Sequence, residues 1–275
     1  ASDMSGWLLM GLPGAAYLSG ISAGWIAIGL AIGTYLNWLF VAKRLRQYTK
    51  TADDAITLPQ FFKNRFHDES GWISVVAAVI ILGFFLFYTA SGFVSCAKLF
   101  SSVFGIPYIV SLLVGAVVVI SYTFAGGFFA VCWTDFFQGI LMFFCVLAVP
   151  TIAIFSMGGP TEFFSQVEAF NPNFLNMLVD GATGVPYTAM GVISLLAWGL
   201  GYFGQPHILV RFMGISSPQA IKKSRRIATV WVLISLTAAI MIGVSGRMFL
   251  GDGLLLNDGN QETIYINMVA KIFPV

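Results

Sequence analysis

The chain has 275 residues, of which 58% are hydrophobic and 9% charged, and its formal net charge is +2. A soluble domain carries about 25% charged residues. A water-soluble fold is excluded, because this chain has too few charged residues to cover a surface in contact with water. Three cysteines exclude a disulfide scaffold, and a charge of +2 provides no basic surface for nucleic acid. The composition is that of an integral membrane protein.

Seven apolar stretches are long enough to cross a lipid bilayer, which takes about 20 residues of helix. They run over residues 4–22, 24–42, 72–97, 106–125, 128–156, 187–210 and 227–250. Barrel strands would alternate in polarity over about 10 residues, whereas these stretches are longer and evenly apolar. The sequence therefore predicts an all-α membrane protein, in which each helix satisfies its own backbone hydrogen bonds in lipid.

Basic residues are concentrated in two of the connecting loops. Eleven of the fourteen Lys and Arg residues are Lys43, Arg44, Arg46, Lys50, Lys63, Arg65, Arg211, Lys222, Lys223, Arg225 and Arg226. By the positive-inside rule both loops are cytoplasmic, and the four spans between them return the chain to the same side. We interpret the clusters as topological signals; a patch that binds anionic lipid is the alternative.

The two ends of the chain resemble internal positions of a longer protein. An apolar run begins almost directly after Ala1, and no polar tail precedes Val275. We therefore expect residues 1–275 to be a single transmembrane domain that is truncated at both ends. It would hold about seven membrane segments, of which the first is partial.

Two carboxylates lie in or beside apolar spans. A charge at the bilayer centre costs at least about 2.5–3.5 kcal/mol, so such an acid is a functional hypothesis by default. Asp3 precedes a Gly- and Pro-interrupted segment, whose freed carbonyls would face a cavity; capping of a helix is the alternative. Asp135 lies about 11 Å inside its span at 1.5 Å per residue. It either meets a passing cation or forms a structural hydrogen bond when protonated.

The sixth span carries three glycines and a proline between Trp198 and Pro206. The glycines match G-x-G-x-x-G, but that dinucleotide fingerprint needs a preceding strand in a soluble βαβ unit, so we reject it. Gly and Pro favour an interrupted helix here. Trp198, Tyr202 and Pro206 fall on roughly one face of an α-helix. That face either forms a binding site or packs against neighbouring helices.

The first and sixth spans are interrupted in the same way, each with a Trp beside a Gly. Paired discontinuous helices indicate the substrate site of an inverted-repeat transporter. If the two spans begin two halves, each repeat has five helices and the second is cut off after two. His67 and His207 pair with no metal-ligating residue, and no arrangement typical of an enzyme is found. Gly29 and Gly33 predict close helix packing.

Three motifs resemble the sodium:solute symporter family: Ala1–Gly14, Gly126–Gln138 and Trp198–Leu209. The middle motif is typical of the wider family, and the other two are closer to its proline-carrying branch. The resemblance covers nearly all of the chain. It implies a five-plus-five inverted-repeat transporter bundle with discontinuous helices, lying in the cell membrane, in which the family's second helix is unwound at the midplane.

The resemblance also implies ligands. Carbonyls of Ala1 and Met4 and the carboxylate of Asp3 would bind a sodium ion, and Asp135 would lie near the inner sodium exit. L-Proline would contact side chains and backbone from three spans, at Ser5, Gly6, Trp7, Tyr88, Trp198, Tyr202 and Pro206. The implied function is sodium-coupled symport of L-proline into the cell by alternating access, with no enzymatic reaction.

One departure from the family pattern concerns the sodium site. The family also uses adjacent hydroxyl residues from the third helix of the second repeat, and the chain ends before that helix. The isolated chain is therefore not expected to transport. Three alternatives stay open: a sodium symporter for another small solute, a symporter-like module of a membrane sensor, and an ion channel.

Overall fold

The computed structural model describes residues 6–251 and 260–273. Within these ranges the regular structure is helical, apart from an isolated antiparallel bridge between Val179 and Pro186. The α-helices are α1 Leu12–Ser19, α2 Gly24–Leu36, α3 Lys43–Thr51, α4 Leu58–Arg65, α5 Trp72–Phe104, α6 Tyr108–Ser156, α7 Pro160–Phe170, α8 Ala189–Leu196, α9 Pro206–Met213, α10 Ala220–Leu250 and α11 Ile264–Ile272. Segments with π-helical geometry are Trp7–Gly11 and Asn37–Ala42; 3₁₀ segments are Gly20–Ala23, Pro172–Leu175, Ala197–Phe203 and Gln261–Thr263.

The long helical segments follow the predicted spans. Four of them in the described residues are long and apolar enough to cross a membrane: Trp7–Thr51, Trp72–Phe104, Tyr108–Ser156 and Ala220–Leu250. The first has 45 residues and the third 49. Each is therefore about twice as long as a membrane core of about 30 Å, at 1.5 Å per residue. Gly20 and Gly127, with φ of 72° and 54°, divide these two segments, because only glycine adopts such backbone freely.

Long helices of the chain carry apolar side chains on exposed faces. Phe84 and Phe87 of α5 are 74% and 76% exposed, and Phe124 of α6 is 92% exposed. Patches of this kind are rare on soluble proteins and are normal against lipid. The prediction of an all-α membrane protein is confirmed in this respect.

One compact unit comprises the described parts of residues 1–24, 90–188 and 234–275. In its core, Phe163 and Val167 of α7 pack with Phe174 and with Val244 of α10. The hydroxyl of Tyr17 donates to the carbonyl of Gly251 at 2.6 Å. The first span and α10 are thus joined within this unit.

The other unit comprises residues 25–89 and 189–233. The first basic loop is folded there into α3 and α4, whose Leu58 and Phe61 share a buried cluster with Leu209 and Phe212 of α9. Arg46 donates to the carbonyl of Met213 at 2.7 Å. These contacts fix α9, and with it the start of the helix at Pro206.

The first turn of α5 is capped from the loop before it. The Asp68 carboxylate accepts a hydrogen bond from the Ile73 amide at 2.8 Å and another from the Ser70 hydroxyl. The Ser70 hydroxyl and then the Ile73 amide hold the pKa of Asp68 below its ordinary value. A carboxylate that satisfies free N–H groups at this end stabilises the helix start.

Candidate substrate and sodium sites

The sixth span is interrupted as the sequence predicts. Helix α8 passes into the 3₁₀ segment Ala197–Phe203, which Gly204 and Gln205 separate from α9. Gln205 is extended, with φ −77° and ψ 111°, because the residue before a proline is disfavoured in the helical region. A 3₁₀ helix has poorer hydrogen-bond geometry than an α-helix and marks strained or functional segments.

Trp198 and Tyr202 of this segment do not share the one face that their spacing in an α-helix predicts. Trp198 is 54% exposed, whereas Tyr202 is only 8% exposed. Four residues of a 3₁₀ helix at three per turn rotate the chain by about 120° beyond a full turn. The prediction of one shared face assumed α-helical geometry, and it is corrected here because the segment is 3₁₀.

The backbone of this segment lies directly against α2. A Cβ added to Gly33 would overlap the carbonyl oxygen of Gly199, and one added to Gly199 would overlap that of Gly29. Only residues without a side chain permit such an approach. The predicted role of Gly29 and Gly33 in close packing is confirmed, and their partner is the interrupted span.

A buried amide fixes the end of the same segment. The Nδ2 of Asn37 donates to the carbonyl of Tyr202 at 2.8 Å, and Asn37 is 1% exposed. The sequence reasoning missed Asn37. Its signal was a polar side chain inside an otherwise apolar span, which is costly unless it has a partner.

Tyr88 lies beside the residue that follows Pro206. Its ring stacks on His207, with centroids 5.3 Å apart and planes at 24°. Phe85 contacts both rings, at 5.3 Å from Tyr88 and 5.6 Å from His207. The structure therefore brings Tyr88, a predicted residue of the third span, to His207, which follows the predicted Pro206 in the sixth span.

An apolar groove of about 560 Å³ borders the interruption. Phe203, Gly204 and Pro206 line it together with Ile80 and Trp72 of α5. The groove is large enough for an amino acid, but a zwitterion needs convergent polar groups, which this apolar lining lacks. Its chemistry does not fit the predicted substrate.

The predicted residues of the first span are described only in part. Ala1, Asp3, Met4 and Ser5 lie outside the described residues. Gly6 packs on α5, where a Cβ added to it would lie 2.9 Å from the Cβ and Oγ of Ser95. Trp7 begins the π segment. Its ring lies so close to Gly11 that a Cβ added to this glycine would be 2.6 Å from it. Such π segments are frequent at functional sites.

Asp135 is half-buried on α6, eight residues after the break at Gly127. The hydroxyl of the preceding Thr134 donates to carbonyls of its own helix, at Ala130 and Val131, both at 3.0 Å. Residues 6–251 and 260–273 contain no group of three or more His, Cys, Asp or Glu that is suited to a metal ion.

Comparison with known proteins assigns the family. A sequence model of the sodium:solute symporter family matches residues 1–275. The chain belongs to this family. The resemblance found in the three motifs is thereby confirmed, as is the all-α membrane class of a symporter, while the five-plus-five repeat stays a prediction.

Three bacterial relatives each match 99% of this chain. They are sodium/proline symporter 2 of Staphylococcus saprophyticus, 48% identical, the high-affinity proline transporter PutP of Bacillus subtilis, 46% identical, and a sodium/proline symporter of Staphylococcus aureus, 47% identical. The match covers 52%, 56% and 52% of these proteins. The chain thus spans about half the length of the curated relatives, all of which are named as transporters.

Proposed function

We propose that this chain is the part of a sodium-coupled symporter that binds L-proline and carries it into the cell. The observation that carries the proposal is the interrupted sixth span with its aromatic side chains. It occurs in a chain 46–48% identical to proteins named for proline transport. A helix broken inside an apolar bundle exposes backbone groups to a ligand instead of lipid.

Proline presents an apolar ring and a charged secondary ammonium, and both suit aromatic partners. Aromatic faces bury the ring and attract the cation. We assign contacts with proline to Tyr88, Trp198, Tyr202 and Pro206. The exposed ring of Trp198 and the Tyr88 cluster beside Pro206 support this assignment. The family resemblance adds contacts at Ser5, Gly6 and Trp7.

Sodium is the co-transported ion in this proposal. It prefers oxygen ligands, and an unwound helix supplies them as carbonyls without placing a charge at each. We assign the sodium site to Asp3 and the carbonyls of Ala1 and Met4, and the inner exit to Asp135. Sodium binding from outside would organise the unwound segment and raise the affinity for proline.

The driving force is sufficient for accumulation. One charge moving down about 100 mV releases about 2.3 kcal/mol, and a tenfold sodium gradient adds about 1.4 kcal/mol. The total of about 3.7 kcal/mol supports about 400-fold accumulation of a neutral zwitterion when one sodium accompanies it. Alternating access then requires that the inward-facing state release both solutes.

The test is uptake of radiolabelled proline into proteoliposomes that contain a full-length symporter with this segment. Uptake is measured with and without an inward sodium gradient, and the 275-residue chain alone is the parallel control. We expect accumulation that depends on sodium in the full-length protein and none in the control. Sodium-dependent currents without proline uptake would indicate another solute or a channel, and a flat result would favour the sensor.

A further inference from the structure

We propose that Asn37 is a positioning residue of the proline site, which acts through the carbonyl of Tyr202. The inference rests on the proposed function and assigns a role to a residue outside the predicted site. Asn37 is separated from Tyr202 by 165 positions in the sequence, and the 2.8 Å bond joins α2's C-terminal end to the interrupted span.

The need for this bond follows from Pro206. In an α-helix the carbonyl of Tyr202 would accept from the N–H four residues later, and that residue is Pro206. Proline has no N–H, so the interruption leaves this carbonyl without its regular donor. The Nδ2 of Asn37 supplies the missing donor from a neighbouring helix.

The contact belongs to a matched pair of helical faces. Gly29, Gly33 and Asn37 recur every four residues and lie along one face of their helix. Gly199 and Tyr202 are three residues apart, which places them on one face of the 3₁₀ segment. The glycines set the distance between the two backbones, and Asn37 fixes their relative register along the segment.

The amide is present for this bond and is not explained by packing alone. The Oδ1 of Asn37 is buried and has no hydrogen-bond partner among the described residues. A half-satisfied buried amide is unfavourable compared with an apolar side chain of similar volume. The compensating interaction is the bond to Tyr202, so its loss should act on the position of the Tyr202 ring.

The experiment compares Asn37→Leu with the matched control Thr34→Val in the full-length symporter. Thr34 is 5% exposed, lies one turn before Asn37, and its Oγ1 also has no partner among the described residues. We expect Asn37→Leu to raise the half-saturating proline concentration about tenfold, or about 1.4 kcal/mol, the size of one hydrogen bond. Maximal uptake per transporter and half-activation by sodium should change less than twofold. Thr34→Val should behave like the wild type.

Two further readouts separate positioning from general damage. In a Tyr202→Ala background, Asn37→Leu should not raise the half-saturating proline concentration further, because the ring through which the carbonyl bond acts on proline is already absent. Hydrogen exchange over residues 197–204 should rise in Asn37→Leu and stay unchanged in Thr34→Val. This exchange readout does not depend on which solute is transported.

The outcomes distinguish the two proposals. Wild-type protein that takes up no proline would overturn the proposed function, whatever the exchange data show. Normal proline affinity and exchange in Asn37→Leu, in a wild type that transports, would overturn the role of Asn37 alone. If Asn37→Leu and the smaller Asn37→Ala are both absent from the membrane while Thr34→Val is present, Asn37 is a folding residue and the inference is wrong.

Discussion

Trp198 and Tyr202 differ in what surrounds them, and the difference determines what each substitution would do. Trp198 is half exposed. Tyr202 is buried, and its carbonyl accepts the hydrogen bond from Asn37. Truncation of a buried aromatic side chain costs about 3–5 kcal/mol of stability. A loss of transport in Tyr202→Ala would therefore mix binding with folding, and Trp198 is the cleaner probe of binding.

We expect Trp198→Ala to raise the half-saturating proline concentration about tenfold, as for an aromatic contact worth more than 1 kcal/mol. The amount of transporter in the membrane should change less than in Tyr202→Ala, because Trp198 is half exposed and Tyr202 is buried. The matched control is Trp72→Ala, which removes a ring that is 70% exposed at the start of α5. A half-saturating proline concentration in Trp198→Ala equal to that of the wild type would show that Trp198 serves in packing and not in proline binding.

Single residues also show where sequence reasoning reached its limit. Trp198, Tyr202 and Pro206 are candidates from the sequence because aromatic, glycine and proline residues coincide in one short run. Asn37 was missed because its partner lies 165 positions away, and nothing local indicates a long-range bond to a backbone carbonyl. The sequence marks an unusual polar residue, but only the fold names its partner.

At the scale of elements, the packing of α2 on the 3₁₀ segment Ala197–Phe203 is the contact that shapes the candidate site. The existence and order of the spans could be predicted, because stretches of about 20 apolar residues are a strong signal. The 3₁₀ geometry could not be predicted. Glycines weaken an α-helix without specifying what replaces it. Here the 3₁₀ segment occurs where its Gly199 lies directly against Gly29 and Gly33 of α2.

Gly33→Ala tests this contact. The added methyl group would overlap the carbonyl of Gly199, and overpacking of this kind typically costs about 1–3 kcal/mol. We expect a lower thermal unfolding temperature of the detergent-solubilised full-length protein and weaker proline uptake. The quantity to measure is the midpoint of thermal unfolding of the purified protein.

Gly83→Ala is the matched control for that substitution. Gly83 lies inside α5, where a Cβ would meet no atom within 4 Å. Alanine is preferred to glycine in a helix interior by about 0.5–1 kcal/mol, so the control should be neutral or slightly stabilised. An equal fall in the unfolding midpoint of both variants would contradict the proposed contact. It would show that the loss comes from adding a methyl group to any helical glycine.

At the scale of the whole molecule, exposed apolar helix faces and interrupted helices occur in the same chain. Uncovered apolar faces such as that of Phe87 suit acyl chains. In the proposed function, the irregular segments would present the polar backbone groups that a solute and an ion bind. Transport needs these two solute sites to be linked energetically, and the strength of that linkage equals the change one ligand makes in the affinity for the other.

Asp3→Asn measures this linkage in a full-length symporter that contains the segment. Removing the charge should raise the sodium concentration for half-activation about 10- to 100-fold, as expected for loss of a contact of about 1.5–3 kcal/mol to a charged group. Proline affinity at saturating sodium should return toward the wild-type value, because sodium and proline raise each other's affinity reciprocally. Asp68→Asn, the same substitution in a loop carboxylate that caps α5, should leave sodium activation unchanged. Sodium activation of Asp3→Asn that matches the wild type would remove Asp3 from the coupling site.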